Sequence, residues 1–276
     1  MNAILTMSRR RASFGVCLLC SPILVTLAAA AVTEEFHQTY PLTASGEVRL
    51  DNVNGKVRIT AWDQAEVKVD AVKRAETQEG LDALKIEITA KPTRVRIHTE
   101  YPKWKAKDYR KTDSVSVDYE VKVPVGAHLE EVEVVNAGVE IEGVTGKVGA
   151  SSVNGHLIVK GLASDSKLET VNGNVEAAFQ KFEGVKSVSL KSVNGKLQLN
   201  LPSDTSAEVS AKTVNGTIHG DAGLTVTKHQ PVGSSLHGTL GKGEAHIKLE
   251  TVNGSIRVRC SGAATSVPRQ QNVALN

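Results

Sequence analysis

Cysteine is almost absent: three in 276 residues, and Cys17 and Cys20 both fall within the first 31. That leaves Cys260, so no intramolecular disulfide and no cysteine metal centre can hold the remainder together. A lone thiol of this kind reads as a small apolar core residue rather than a redox group. An excess of charge is missing too. The chain has 33 basic and 30 acidic residues, and Arg9, Arg10 and Arg11 account for the whole difference. Taking those three away leaves 30 basic groups against 30 acidic ones. Neutralising a phosphate backbone needs a net or clustered basic field, so the composition argues against a nucleic-acid partner.

Chemistry-bearing motifs are missing as well. No HExxH, GxSxG, phosphate loop or dinucleotide fingerprint occurs, and Gly238-Thr-Leu-Gly-Lys-Gly lacks the Lys-Ser/Thr ending of a phosphate loop. His37, His98, His128, His156, His219, His229, His237 and His246 show no close metal spacing and read as isolated, solvent-facing residues. His237 and His246, nine apart, could still approach each other across a turn. Polysaccharide cleavage needs a carboxylate pair or a base converging in a groove. Asp165, Asp204 and Asp221 instead sit at turns, where aspartate stabilises the turn itself. Glu130, Glu131 and Glu133 read as one solvated strand face. The GGxGxD grammar of calcium repeats is absent. The expectation is no catalytic residue, no metal and no cofactor.

The first 31 residues read as an export signal. Three arginines precede an apolar stretch from about Ala12 to Leu27, and Ala28 to Ala31 supply an Ala-x-Ala cleavage site. Pro22 interrupts the stretch, which is short for a membrane span, and Thr33, Glu34 and Glu35 follow at once. Leu18 and Leu19 before Cys20 do not suit a lipobox. Ser8-Arg9-Arg10-Arg11-Ala12 lacks the Phe-Leu that usually follows a twin-arginine pair. Ordinary secretion is expected, with no stable transmembrane span afterwards and a destination in the periplasm, at the cell surface or outside.

What is present in quantity is a repeat. Val-Asn-Gly starts at Val53, Val153, Val171, Val193, Val214 and Val252, with a degenerate copy at Val135-Asn136-Ala137-Gly138. From Val135 the starts are 18, 18, 22, 21 and 38 residues apart. The last interval is close to two units, which predicts a disguised rung near Gly238-Thr239-Leu240-Gly241. Around each copy apolar and polar residues alternate, and Ser or Thr usually precedes the valine. Such alternation in Val, Ile, Thr and Leu marks strands with one buried face. Asn-Gly between alternating runs is also a hairpin signal, since both residues tolerate positive φ. An antiparallel meander is therefore the structural rival. The intervening turns vary while the VNG corner stays fixed, and that favours stacked coils of about 20 residues. Stacking places Asn154, Asn172, Asn194, Asn215 and Asn253 above one another in a hydrogen-bonded ladder, with the valines before them turned inward.

The front is less regular. Gly46 to Ile59 reads as a first rung, followed by alternating strands at Ala65 to Lys73, Leu84 to Thr89, Arg94 to His98 and Ser114 to Val123. Thr77 to Leu84 suits a short helix or turn. The expected organisation is a signal at 1–31, a strand-rich part with the first rung at 32–128, the regular repeat at 129–261, and a flexible tail at 262–276. A strand-rich insertion at the front would cap the open end of a stack.

These residues resemble a known family: the adhesin-like β-solenoid proteins of the bacterial envelope, a domain of unknown function. Leu50-Asp-Asn-VNG-Lys-Val-Arg-Ile-Thr-Ala-Trp-Asp, Tyr119-Glu-Val-Lys-Val-Pro-Val-Gly and the Ser/Thr-VNG series ending at Ile256-Arg-Val carry the likeness. The resemblance extends to about Cys260 and implies an all-β, right-handed parallel β-solenoid with a strand-rich N-terminal cap, exported and without known catalysis. It brings no ligand site with it.

One segment stands out as a contact. Between Tyr101 and Lys111, Lys103, Lys105, Lys107, Arg110 and Lys111 interleave with Trp104 and Tyr109. Cations among aromatic rings can stack on sugars and pair with anionic polymers or lipid headgroups. The expected ligand contact is thus Trp104 and Tyr109 with Lys103, Lys105 and Arg110; a soluble exposed loop is the plainer alternative. The expected partner is an envelope polysaccharide, lipid headgroup or protein. The expected role is an envelope interaction scaffold, with an envelope-stress regulator or ligand sensor, and then a polysaccharide-active enzyme, as alternatives.

Overall fold

The computed structural model describes residues 31–102, 114–221, 224–228 and 233–261. They form an all-β protein of two large sheets, one of ten strands and one of eleven. Each VNG copy ends a strand of the eleven-stranded sheet, turns at its glycine and enters a strand of the ten-stranded sheet. The seven strands before the turn are β2 (Glu47–Asn54), β8 (His128–Asn136), β10 (Val148–Asn154), β12 (Ser166–Asn172), β14 (Ser187–Asn194), β16 (Ala207–Asn215) and β20 (Ala245–Asn253). Their partners after the turn are β3 (Val57–Trp62), β9 (Val139–Glu142), β11 (Leu157–Leu162), β13 (Val175–Phe179), β15 (Leu197–Leu201), β17 (Ile218–Gly220) and β21 (Ile256–Cys260). Every rung pairs in parallel with the next, which excludes the meander.

The core lies between the two inner faces. Leu50, Val132, Ala150, Leu168, Leu190, Leu249 and Ala211 form one buried row by register. Ile59, Ile141, Val159, Ala177, Leu199 and Val258 form the row on the ten-stranded sheet. Each large buried aliphatic side chain contributes about 1.5–3 kcal/mol, so every rung reinforces its neighbours.

The spatial order departs from the chain order in two places. The rung at Val53, far from the next in sequence, lies directly beside it: Asn54 pairs with Asn136. The intervening segment builds the front cap. There β6 (Arg94–Glu100) lies parallel to β2, with β5 (Lys85–Lys91) antiparallel on β6. On the other sheet β7 (Ser116–Pro124) lies parallel to β3, followed by antiparallel β4 (Glu66–Ala75) and β1 (Val32–Pro41). The expected short helix is α1 (Gln78–Ala83), capped by the Thr77 hydroxyl, which accepts from the Gly80 N–H at 3.1 Å.

At the other end the last rung in sequence inserts before the previous one. β20 lies between β14 and β16, and β21 between β15 and β17. The disguised rung predicted near Gly238 does not exist. That stretch belongs to β19 (Ser234–Leu240), which runs antiparallel on β16 and carries β18 (Leu224–Lys228) beyond it. The long interval therefore holds a cap: it covers the open edge of β16 before the chain returns on that strand's other side, which answers the exposed-edge problem of any stack.

The VNG corner also differs from expectation. The valines point outward. Strand alternation turns the residue before each valine into the core: Asn52, Val134, Ser152, Thr170, Ser192, Thr213 and Thr251. Five of these use a hydroxyl to satisfy a backbone carbonyl of the neighbouring rung. Thr170 donates to Gly155 O at 3.1 Å, Ser192 to Gly173 O at 3.0 Å and Thr251 to Gly195 O at 3.2 Å. Ser152 and Thr213 do the same to Ala137 O and Gly254 O. A buried hydroxyl with such a partner is tolerated, and a valine there would leave the carbonyl unpaired. The glycine is required by crowding, since only Gly55 among the VNG glycines has a positive φ, of 109°. A Cβ on Gly173 would stand 1.9 Å from Gly155 O, and one on Gly195 1.8 Å from Gly173 O.

Candidate interaction face

On the outside of the eleven-stranded sheet the corner produces two parallel rows. The first is the valines. Each lies between a paired inward residue (Val134 in the first of them, Ser or Thr in the rest) and a laddered Asn, so Val135, Val153, Val171, Val193, Val252 and Val214 follow one another rung by rung. They are 37–50% exposed and make up six of the eight large hydrophobic residues exposed among the described residues. With Val53 at the front, the row spans about 29 Å at ordinary strand spacing. The ten-stranded sheet shows nothing comparable: its outward row runs Arg58, Glu140, Ile158, Glu176, Gln198, Arg257, His219.

The second row lies two residues earlier on each strand. Register places His98, Asp51, Glu133, Ser151, Glu169, Lys191, Glu250, Lys212 and Ser235 in succession. Lys191 bridges Glu169 at 3.6 Å and Glu250 at 4.0 Å, and Lys248 holds Glu250 at 2.8 Å. Asp51 is taken by Arg96 at 3.0 Å. Such exposed pairs are worth about 0–1 kcal/mol each. Glu133 and Lys212 have no ion-pair partner among the described residues. Burial, then the like charges of Glu131 and Asp51, push the Glu133 carboxyl above its ordinary value. Glu130, hydrogen-bonded by Arg49 at 2.7 Å, is held below its own.

A groove runs between the two rows. Towards the front it has about 470 Å³, between Asp51, Glu133 and Ser151 on one side and Val53, Val135 and Val153 on the other. Towards the back it widens to about 880 Å³, between Lys191, Glu250 and Lys212 and the valines Val193, Val252 and Val214, closed by Ser234 and Ser235. Sequence reading missed this face because it took the valines for core. The Ser or Thr one position earlier was the available signal.

The asparagines lie just beyond the valines. Asn154 Nδ2 donates to Asn136 Oδ1 at 2.9 Å, Asn172 to Asn154 at 2.9 Å, Asn194 to Asn172 at 2.8 Å, Asn253 to Asn194 at 2.8 Å and Asn215 to Asn253 at 2.9 Å. Asn136 continues the series to Asn54 at 2.9 Å. These amides bond to one another, which makes them structural rather than ligand-binding.

Lys103, Trp104, Lys105, Tyr109 and Arg110 lie outside the described residues. The described flanks of their segment both meet the first corner. The Tyr101 hydroxyl lies 2.7 Å from Asn52 Oδ1 and accepts from the Asn54 N–H at 2.9 Å, while Asn54 Nδ2 donates to Val115 O at 3.2 Å. Burial raises the Tyr101 phenol above its ordinary value.

His128 serves a return turn and His156 a VNG corner, each accepting a backbone N–H through Nδ1, from Lys147 at 3.0 Å and from Asn174 at 2.9 Å. His237 and His246 border one shallow groove with Glu208, and His246 lies 3.4 Å from that carboxylate. Among the described residues no group of three His, Cys, Asp or Glu is placed to hold a metal ion. Cys260 is a free, half-buried thiol, raised by burial and by Asp221.

Two mostly parallel sheets, a repeated glycine corner and a regular outward valine row define a repeat scaffold of all-β class. The chain belongs to the Toastrack DUF4097 family, a domain of unknown function whose model matches residues 38–259. Among solved structures it is similar to a candidate cell adhesion protein of Clostridium sporogenes, at 12% identity over 82% of this chain and 100% of that one, with a TM-score of 0.44. A candidate adhesin of Bacteroides fragilis matches at 12% identity over 82% and 97% of the two chains, with a TM-score of 0.37. A candidate lipid-binding protein of Parabacteroides distasonis matches at 12% over 83% and 94%, with a TM-score of 0.25. No curated protein matches. Among the described residues no helix is long and apolar enough to cross a membrane.

Proposed function

We propose that this protein is an exported, non-catalytic interaction scaffold of the bacterial cell envelope, of adhesin type, with the valine face of the eleven-stranded sheet as its contact surface. The observation that carries the reading is the uninterrupted row of exposed valines beside a charged row. Contiguous apolar surface bordered by polar groups is seldom left on a protein that touches nothing. The rungs are read as coils of a right-handed β-solenoid of about 20 residues each, in keeping with the strong preference for right-handed connections between parallel strands. The partner class is an envelope polysaccharide, lipid headgroup or protein. Trp104, Tyr109, Lys103, Lys105 and Arg110 are proposed as a second contact.

Binding of the purified protein to isolated envelope fractions tests this directly. Val171→Asp with Val193→Asp should abolish retention while leaving the circular dichroism of the fold in place, because both side chains are outside the core. Trp104→Ala with Tyr109→Ala should weaken it. Retention unaffected by the valine pair would remove the face from the account.

A further inference from the structure

The charge order along the face identifies what covers it. We infer that the valine face packs on the same face of a second copy of this chain. The two-fold axis lies in the interface along the strands, midway between the Val171 and Val193 rungs. The inference rests on the reading of this face as the contact surface and names its occupant.

Rotation about such an axis reverses the order of the rungs and keeps position along each strand. Valines then meet valines and the charged row meets the charged row, as an isologous interface requires. Val171 lies opposite Val193 of the second copy, Val153 opposite Val252, and Val135 opposite Val214. In the charged row Glu169 meets Lys191, Glu133 meets Lys212, Ser151 meets Glu250, and Asp51 meets Ser235, each twice. No like charges face each other in that row. Moving the axis onto the Val171 rung puts Glu169 against its own copy and Glu133 against Glu250, so the charge order selects one register among those the valines alone would allow.

A second observation agrees. Glu133 and Lys212 are without ion-pair partners among the described residues, and they stand five rungs apart in the stack, about 24 Å at ordinary strand spacing. They cannot reach each other within one copy, yet the two-fold brings them together. The area is adequate as well. Six valines at 37–50% exposure amount to roughly 350–400 Å² of apolar surface per copy, a patch size that on monomers tends to be functional. The flanking charged side chains bring the total towards roughly 800 Å² per copy, the ordinary size of a specific interface.

Sedimentation velocity of the purified protein over a range of concentrations tests the inference. The expected result is a reversible monomer–dimer equilibrium that Val171→Asp weakens at least 100-fold. Lys212→Glu alone and Glu133→Lys alone should each weaken it about 10-fold. The combined Glu133→Lys, Lys212→Glu chain should recover most of the loss, since reversing both members of a pair restores attraction only where the two meet. That recovery cannot come from misfolding. A protein that stays monomeric at high micromolar concentration, or a dimer that the double reversal does not restore, overturns the inference. A monomer whose valine variants still lose envelope binding overturns the dimer and leaves the contact reading intact.

Discussion

The two sides of each rung obey different rules. At the VNG corner successive copies are near-identical: a buried Ser or Thr, an outward valine, a laddered asparagine and a glycine pressed against the glycine of the next rung. On the return side the connections after Leu162, Phe179 and Leu201 differ in length and residues. The corner is constrained because neighbouring backbones approach too closely for any Cβ. The return loops tuck in single residues such as Phe182 and Val185 but lie away from the crowded corner, so they admit added residues at little cost. Repetition in this chain therefore records crowding, and it need not record function.

The sharpest way to break that comparison is a matched pair of glycine substitutions. Gly173→Ala places a Cβ 1.9 Å from Gly155 O and should cost about 4 kcal/mol or more in denaturant unfolding, the range reserved for severe backbone clashes. Gly184→Ala, in a return loop at φ 81° with nothing within 4 Å, should cost only about 1 kcal/mol of backbone strain. Thr170→Val removes the hydroxyl that satisfies Gly155 O while keeping the shape, and should lower stability by about 1–2 kcal/mol. Cutting the ladder at its middle with Asn172→Ala should cost about 0.5–1 kcal/mol in the same measurement, because water replaces the lost amides.

The smallest effect belongs to the front cap. His37, on β1, is raised above its ordinary value of 6.5 by the hydrogen bonds its ring donates to Asp70 and Glu35. The folded chain therefore holds that proton more tightly than the unfolded one. The stabilisation is complete below pH 6.5 and is lost as the pH rises through the raised value. Amide exchange across β1 and β4, corrected for intrinsic rates, should show weaker protection at pH 8 than at pH 6, and His37→Gln should remove the difference.

Much of this architecture was legible in the sequence. Alternation located the strands, the varying return turns favoured a parallel stack over a meander, and the spacing of the asparagines placed their amides within reach of one another. Three things were not legible. The direction of the valines depends on a one-residue register, and hydrophobicity pointed the wrong way because the Ser/Thr position is a buried polar one satisfied only by a neighbouring rung. The insertion of the last rung between its predecessors is a question of which edge the chain caps first, and local pattern does not encode that. The glycines carry a crowding requirement that resembles a turn preference until the neighbouring rung is in place. For the candidate site the sequence pointed to the segment around Trp104, whereas the described residues present the valine face.

Hydroxyl-radical footprinting of the protein, with and without isolated envelope fractions and at concentrations low enough to keep it monomeric, tests the central claim most directly. The valine face predicts protection at Val153, Val171, Val193 and Val252, and unchanged labelling at Ile158 on the ten-stranded sheet. Protection on the ten-stranded sheet, with the valines labelled as in the free protein, would contradict it.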